Sequence, residues 1–318
     1  MARLFYRHTF GLGGATENVA DDFNQLAGTR DVSRVTLTAG RFAVNDIFDQ
    51  NAYAHDPRTQ FLNYSMWAAG AFDYASDQRG YGAGVVLDFN QKNWAFRTGY
   101  FMLPIHSNAQ HLSWNLGSKA QLVNELELRY QLLSRPGILR TLGWAARANA
   151  GGYREALADP QFDGDQSIVD TRRVRTQFGY GLNLEQSITN DLGLFARWSW
   201  RDARSEVVSW TDLDQSLAGG ISLKGAAWQR PHDTIGLGAA MNGLSSAHSA
   251  YTAAGGNSVT IGDGRLNYSS EKALETFYSI SLSGHNSLTF DYQYVTNPAY
   301  NADRGPVSLF AVRLHSEF

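Results

Sequence analysis

Gln121-Leu122-Val123-Asn124-Glu125-Leu126-Glu127-Leu128-Arg129-Tyr130-Gln131-Leu132 is the stretch whose reading decides the fold. Val123, Glu125, Glu127, Arg129 and Gln131 fall on one side of an extended chain. Leu122, Leu126, Leu128, Tyr130 and Leu132 fall on the other. A period of two residues is that of a β-strand, because successive side chains point to opposite faces. Arg175 to Ile188 repeats the arrangement, with Arg175, Gln177, Asn183 and Glu185 opposite Thr176, Phe178, Tyr180, Leu182 and Leu184. Gly193 to Arg201 does so again, with Arg197, Ser199 and Arg201 opposite Leu194, Ala196, Trp198 and Trp200. Soluble antiparallel sheets also alternate, but there the greasy face is the core. Segments of about ten alternating residues with rings near their ends are instead what a membrane barrel uses, its apolar face on lipid and its lumen taking the charge. Trp94, Trp198, Trp200, Tyr268, Tyr292 and Tyr294 occupy such end positions.

Composition narrows the alternatives. The 318 residues are 18% charged and 13% aromatic, with 31 Gly, 15 Tyr and 17 Phe. The longest apolar runs, Trp67 to Phe72 and Val85 to Leu87, fall far short of the roughly 20 residues of a membrane-spanning helix. A net charge of −3 provides no basic stripe for nucleic acid. The absence of cysteine removes disulfides, thiolate nucleophiles and cysteine metal sites, and suits passage through an oxidising compartment.

The pattern predicts an all-β transmembrane antiparallel barrel with about fourteen visible strands. They are placed at Leu4 to Phe10, Arg34 to Phe42, Ala68 to Ser76, Tyr81 to Phe89, Trp94 to Met102, Gln121 to Leu132 and Leu139 to Asn149, then at Val174 to Ile188, Leu192 to Asp202, Leu213 to Lys224, Thr234 to Asn242, Lys272 to Ser283, Ser287 to Thr296 and Val307 to Phe318. Connections alternate short and long, as on the two rims of an outer-membrane barrel. Six of the prolines are expected in connections, and Pro306 leads into the last strand. Ala43 to Ser65 breaks the alternation. By this count it is a long connection on the short-turn rim, and it either enters the pore, plugs its mouth or signals a miscount.

Particular words then add information. Gly40-Arg41-Phe42-Ala43-Val44-Asn45-Asp46-Ile47-Phe48-Asp49, Asn51 to Phe61 with its Asp56-Pro57-Arg58-Thr59-Gln60-Phe61, Asn297-Pro298-Ala299-Tyr300-Asn301 and Asp303-Arg304-Gly305-Pro306-Val307 resemble the carbohydrate-selective porin (OprB) family over nearly the whole chain. The resemblance implies a sixteen-stranded outer-membrane barrel that passes glucose and other small sugars by diffusion. It also implies that residues 1–318 form a single barrel domain without the family's signal segment and first strands. The terminal Phe318 resembles the signal read by the insertion machinery. The resemblance involves no enzyme, cofactor or metal; its partners are small carbohydrates and outer-membrane lipid, with monomer and homotrimer both open.

Strand parity nominates Arg7, Arg34, Asp73, Asp88, Arg97, Glu125, Glu127, Arg129, Arg147, Arg175, Glu185, Arg197, Arg201, Lys224, Glu275, Asp291 and Arg313 as lumen-facing. Arg97, Glu125, Glu127, Arg129, Arg147, Arg197 and Asp291 are the expected pore-lining, substrate-contacting residues. Both signs are present, so such a lining exchanges hydrogen bonds with sugar hydroxyls, whereas a ring of one sign selects ions. The competing view of any one charge is that it pairs across strands and stiffens the wall. Two other classes compete with a porin: a barrel hydrolase using His8, His315 and Ser316, and a soluble β-rich sugar-binding module. Asp159 to Asp170 lacks the spacing of a calcium loop.

Overall fold

The computed structural model describes residues 3–21, 25–262 and 264–317. The expectation for Phe318 lies outside the described residues. Alternating segments become β1 (Leu4–Gly11), β4 (Arg34–Phe42), β5 (Gly82–Asn90), β6 (Trp94–Met102), β7 (Ala120–Leu132), β8 (Arg135–Ala150) and β9 (Arg173–Ser187). They continue as β10 (Leu192–Arg201), β11 (Gln215–Gly225), β12 (Arg230–Gly243), β13 (Glu271–Ser283), β14 (Asn286–Thr296) and β15 (Val307–Ser316). These thirteen form one sheet in chain order, each antiparallel to the next. Among the described residues β1 pairs only with β4, and β15 only with β14. A small separate hairpin, β2 (Thr16–Val19) with β3 (Gly28–Asp31), occupies the connection between β1 and β4.

Ala68 to Ser76 is not a strand. It belongs to a long connection, residues 43–81, which contains the one-turn helix α1 (Tyr64–Trp67). All of its residues from Ala68 to Asp77 are buried. Its mixture of rings and small residues arises from burial on every side, and its backbone groups are met by local turn bonds and by side chains instead of a ladder. Ala71 N donates to Ser199 Oγ at 2.9 Å, Ala75 N to Gln121 Oε1 at 2.7 Å, and Gln121 Nε2 returns a bond to Asp73 O at 2.8 Å. Removing this strand from the count puts residues 43–81 on the rim of the long loops. The exception on the other rim becomes residues 12–33. Pro136 and Pro231 also differ from expectation, each standing second in its strand, β8 and β12.

The segment 43–81 is the centre of the molecule. Arg3, just before β1, donates to Asp46 at 2.7 Å, and Arg313 of β15 donates to Pro57 O at 2.5 Å. The first and last strands therefore both reach one segment, and the sheet curves around it. Phe48, Phe72 and Phe101 belong to one apolar cluster there, and Phe61, Met66, Phe195 and Phe277 to a second. At Gly193 the approach is so close that a Cβ would lie 2.0 Å from the Tyr53 ring. The outward face is apolar, with Trp94, Trp198, Tyr294 and Leu274 exposed on it. Tyr268 lies instead in the connection before β13, where its hydroxyl accepts a hydrogen bond from Leu244 N.

At the long-loop rim, α2 (Tyr153–Leu157) and α3 (Asp165–Asp170) from one connection meet α4 (Ser246–Ala253) from another. Tyr153, Ile168, Ala247 and Tyr251 form their shared core.

Phe61 has no exposed surface and its ring centroid lies 5.2 Å from Phe195 and 4.9 Å from Phe277. Truncating a buried Phe costs roughly 3–5 kcal/mol. Phe61→Ala is expected to expose residues 43–81 to limited proteolysis while heat-modifiable gel migration of the wall is retained. An uncut segment would show that polar ties alone hold it.

Candidate functional site

The inward charges form a ladder because residues directly opposite across neighbouring strands lie close enough to interact. Asp88 of β5 faces Arg97 of β6, and Arg97 faces Glu125 of β7. Arg97 Nε donates to Asp88 at 3.2 Å, and its Nη1 to Glu125 at 2.7 Å and Glu127 at 3.0 Å. Arg140 of β8 continues the run, 2.9 Å from Glu127 and 3.2 Å from Glu185 of β9. Arg129 closes on the other oxygen of Glu127 at 2.8 Å and caps the Gln91 carbonyl at 2.7 Å.

The same groups hold the inserted segment. Asp49 N donates to Glu125 Oε2, and Ala52 N to Glu185 Oε2, each at 2.7 Å. Arg197 donates to Asp49 Oδ1 at 3.2 Å and to the carbonyls of Ala54 and Met66 at 2.6 Å. Glu275 accepts from Leu62 N at 2.5 Å and Asn63 N at 2.8 Å. Asp73, in the segment itself, accepts from Ser209 N at 3.1 Å and Trp210 N at 3.2 Å. Arg313 ties Asp291 at 3.1 Å.

Of the residues expected to line the pore, Glu125, Glu127, Arg197 and Asp291 point inward and are buried away from the inner cavities, whereas Arg97, also inward and buried, has an edge on one of them. Arg129 points inward near the short-turn rim and is half-buried. Arg147 is a correction. It pairs with Ala120 and Thr176, and its side chain is exposed on the outward face. Charge marks the inward side on most strands, but in this part of β8 the inward residues are Leu142, Trp144, Ala146 and Ala148, buried in an apolar cluster beneath the segment. Parity assigned by charge therefore inverts at Arg147. The same cause hid Arg140, which shares the inward parity. Asp73 lies inside the wall without being on a strand. Asp49, with no alternation around it, carried no signal of a face.

The open space lies elsewhere. A cavity of about 560 Å³ is bounded by Arg3, Phe5, Arg7, Asp46, Arg58, Trp67 and Tyr74. A second of about 570 Å³ shares Arg7 and Asp46 with it and adds Arg30, Arg34, Asp88 and Arg97. Together they run between β1, β4 and β5 on one side and the segment on the other. Arg7 lies 5.0 Å over the Phe5 ring, and its hydrogen bond to Thr38 Oγ1 is 3.4 Å long. A third cavity of about 600 Å³ is lined by hydroxyls, among them Ser222, Thr234, Ser279 and Ser281, with His232 and His315.

No chain-end hydrolase cluster is assembled. His8 shares the outward face of β1 with Tyr6 and Phe10, whereas His315 lines the hydroxyl-rich cavity, and Ser316 Oγ donates to Asn286 at 2.6 Å. Among the described residues no cluster of His, Asp and Glu fits a metal ion. Asp159 and Asp163 hold Ser167.

An antiparallel meander with an apolar outer face, a charged inner face and a segment folded inside it is the build of an outer-membrane porin. Over residues 1–318 the chain matches the family described as carbohydrate-selective porin, OprB family, and belongs to it. It is similar to the porin AaxA of Chlamydia abortus, at 24% identity covering 88% of this chain and 53% of that protein. It is likewise similar to the porin AaxA of Chlamydia caviae, at 22% identity over 88% and 52%. The chain thus spans about half the length of these curated relatives. Its fold is that of Pseudomonas putida OprB in a high-pH structure, with a TM-score of 0.70 at 17% identity, covering 89% of this chain and 70% of that one.

At the long-loop rim, Glu155 of α2 is bound by Arg175 at 2.7 Å and Arg173 at 2.6 Å, and these guanidiniums hold its carboxyl down at about 2. A carboxyl depressed in the folded state contributes fully above its ordinary value of 4.5 and loses that contribution as pH falls toward 2. Protease cutting between residues 151 and 172 is expected to rise across that window, and Glu155→Gln should remove the pH dependence. An unchanged profile in the variant would assign the acid sensitivity to another group.

Proposed function

We propose that residues 1–318 form one unit, the wall of an outer-membrane barrel through which glucose and other small carbohydrates diffuse beside the inserted segment. The observation that carries this reading is the lining of the cavities between β1, β4 and β5 and the segment. Arg7 offers fixed donors, the Arg3–Asp46 ion pair gives the wall a polar edge, and the rings of Phe5, Trp67 and Tyr74 stand around them. A sugar presents hydroxyls at its edge and C–H groups on its faces, so it meets both kinds of surface as its water is removed. The family assignment supports the same solute class.

In this reading Arg97, Glu125, Glu127, Arg129, Arg197 and Asp291 act on solute indirectly, by fixing the segment that forms one side of the passage. A buried carboxylate that loses its guanidinium costs several kcal/mol, about 3–5 for a buried pair. Removing Glu125 and Glu127 together therefore leaves Arg97 with Asp88 alone and Arg140 with Glu185 alone, takes away the acceptor of Asp49 N and moves the segment, with the wall still folded.

Swelling of proteoliposomes in glucose, a disaccharide and a charged solute of similar size tests both statements. Arg7→Ala is expected to lower glucose entry relative to the charged solute several-fold without loss of insertion. Glu125→Ala with Glu127→Ala is expected to change glucose flux and to expose the segment to protease. If neither protein differs from the parent in glucose entry despite verified insertion, the passage beside Arg7 is not the route.

A further inference from the structure

The outward wall carries a groove that permeation does not use. Register sets Leu217, Met241, Lys272 and Thr296 in one row across β11 to β14, at the long-loop end. Gly219, Ala239, Leu274 and Tyr294 form the next row toward the middle of the wall. Gly219 and Ala239 have almost no side chain, so the surface sinks between Leu217, Met241 and Leu274 into a cavity of about 680 Å³. Lys272 stands at its rim-side end with its side chain exposed.

The charge around this groove has one sign. The outward positions from Leu217 to Ile221, Leu237 to Met241, Lys272 to Thr276 and Tyr292 to Thr296 hold no carboxylate. The outward cations elsewhere toward this rim are Arg147, which is exposed, and Arg41, which is held by Asp77. A cation on the lipid face is costly at mid-bilayer and tolerated near the interface, where anionic headgroups lie. A second copy of the chain brings no reason for a lone ammonium at the mouth of an apolar groove, whereas a phosphorylated lipid brings both an anion and a chain.

We propose that this groove seats a phosphorylated lipid of the leaflet at the long-loop rim. Its phosphate lies at the Lys272 ammonium and one acyl chain crosses Gly219 and Ala239. The inference depends on the membrane location of the wall and not on the solute it passes, so lipid retention tests it separately from flux.

The experiment is native mass spectrometry of the folded protein in mild detergent with diphosphorylated lipid A, and in parallel with the same lipid stripped of phosphate. The parent protein is expected to retain the phosphorylated form preferentially. Lys272→Ala should weaken that retention about five-fold, the effect of one cation near a phosphate, and Lys272→Arg should keep it. Ala239→Leu fills the groove and should weaken both forms, with heat-modifiable migration confirming the fold of every variant. Equal retention of the two lipids by the parent, or no effect of Lys272→Ala, overturns the proposal. So does an Ala239→Leu protein that keeps its lipid but loses self-association, since the groove then belongs to a contact between copies.

Discussion

A chain segment folded inside a porin wall, away from bulk water, must find partners for its backbone polar groups, and the rest of the interior is arranged around that constraint. An unmet buried amide costs free energy comparable to a lost hydrogen bond or more. Residues 43–81 lack a ladder of their own. Where local turns do not meet them, their amides and carbonyls are met by side chains, among them Glu125, Glu185, Arg197 and Glu275 from β7, β9, β10 and β13. The charges of the wall in turn are expensive to bury unless paired. Arg97, Glu125, Glu127, Arg140 and Glu185 answer that requirement among themselves, and Glu125 and Glu185 also accept from amides of the segment. Neither the segment nor the ladder is satisfied without the other.

Much of this was legible in the sequence wherever one face of a strand differs chemically from the other. Gln121 to Leu132 pairs in the expected face order, and the brief turns at Asn190 and Gly284 fall between strands as read. The signal failed where both faces of a stretch are buried or both are apolar. Ala68 to Ser76 carries rings and small residues because it is enclosed, and this composition resembles a strand. Arg147 was turned the wrong way because beneath it the wall meets Phe72 and its neighbours, so the inward side is the greasy one there. Alternation reports contrast between environments, and it says nothing where there is no contrast.

The words that resemble the porin family lie largely in the inserted segment. Gln60 Oε1 accepts from His55 N at 2.7 Å and Asp56 N at 3.1 Å, and Asp56 in turn clasps Arg58. These are local turn bonds that fix the path of an irregular chain, which is why their order in sequence is specific while strands of the wall need only a pattern. The buried ladder and the proposed passage consequently have different demands. The first needs particular partners at fixed spacing, and the second needs only exposed donors, acceptors and rings at its edge.

The many ties between the segment and the wall have an electrical consequence. A lid hinged at two ends and resting on an apolar surface would wander, and the current through its pore would flicker between levels. Here the segment is bonded near its start by Asp46 and Asp49, in its middle by Asn51, Pro57 and Leu62, and near its end by Asp73. For the proposed pore, a segment held at so many points along its length predicts a single steady conductance level without flicker from its own motion.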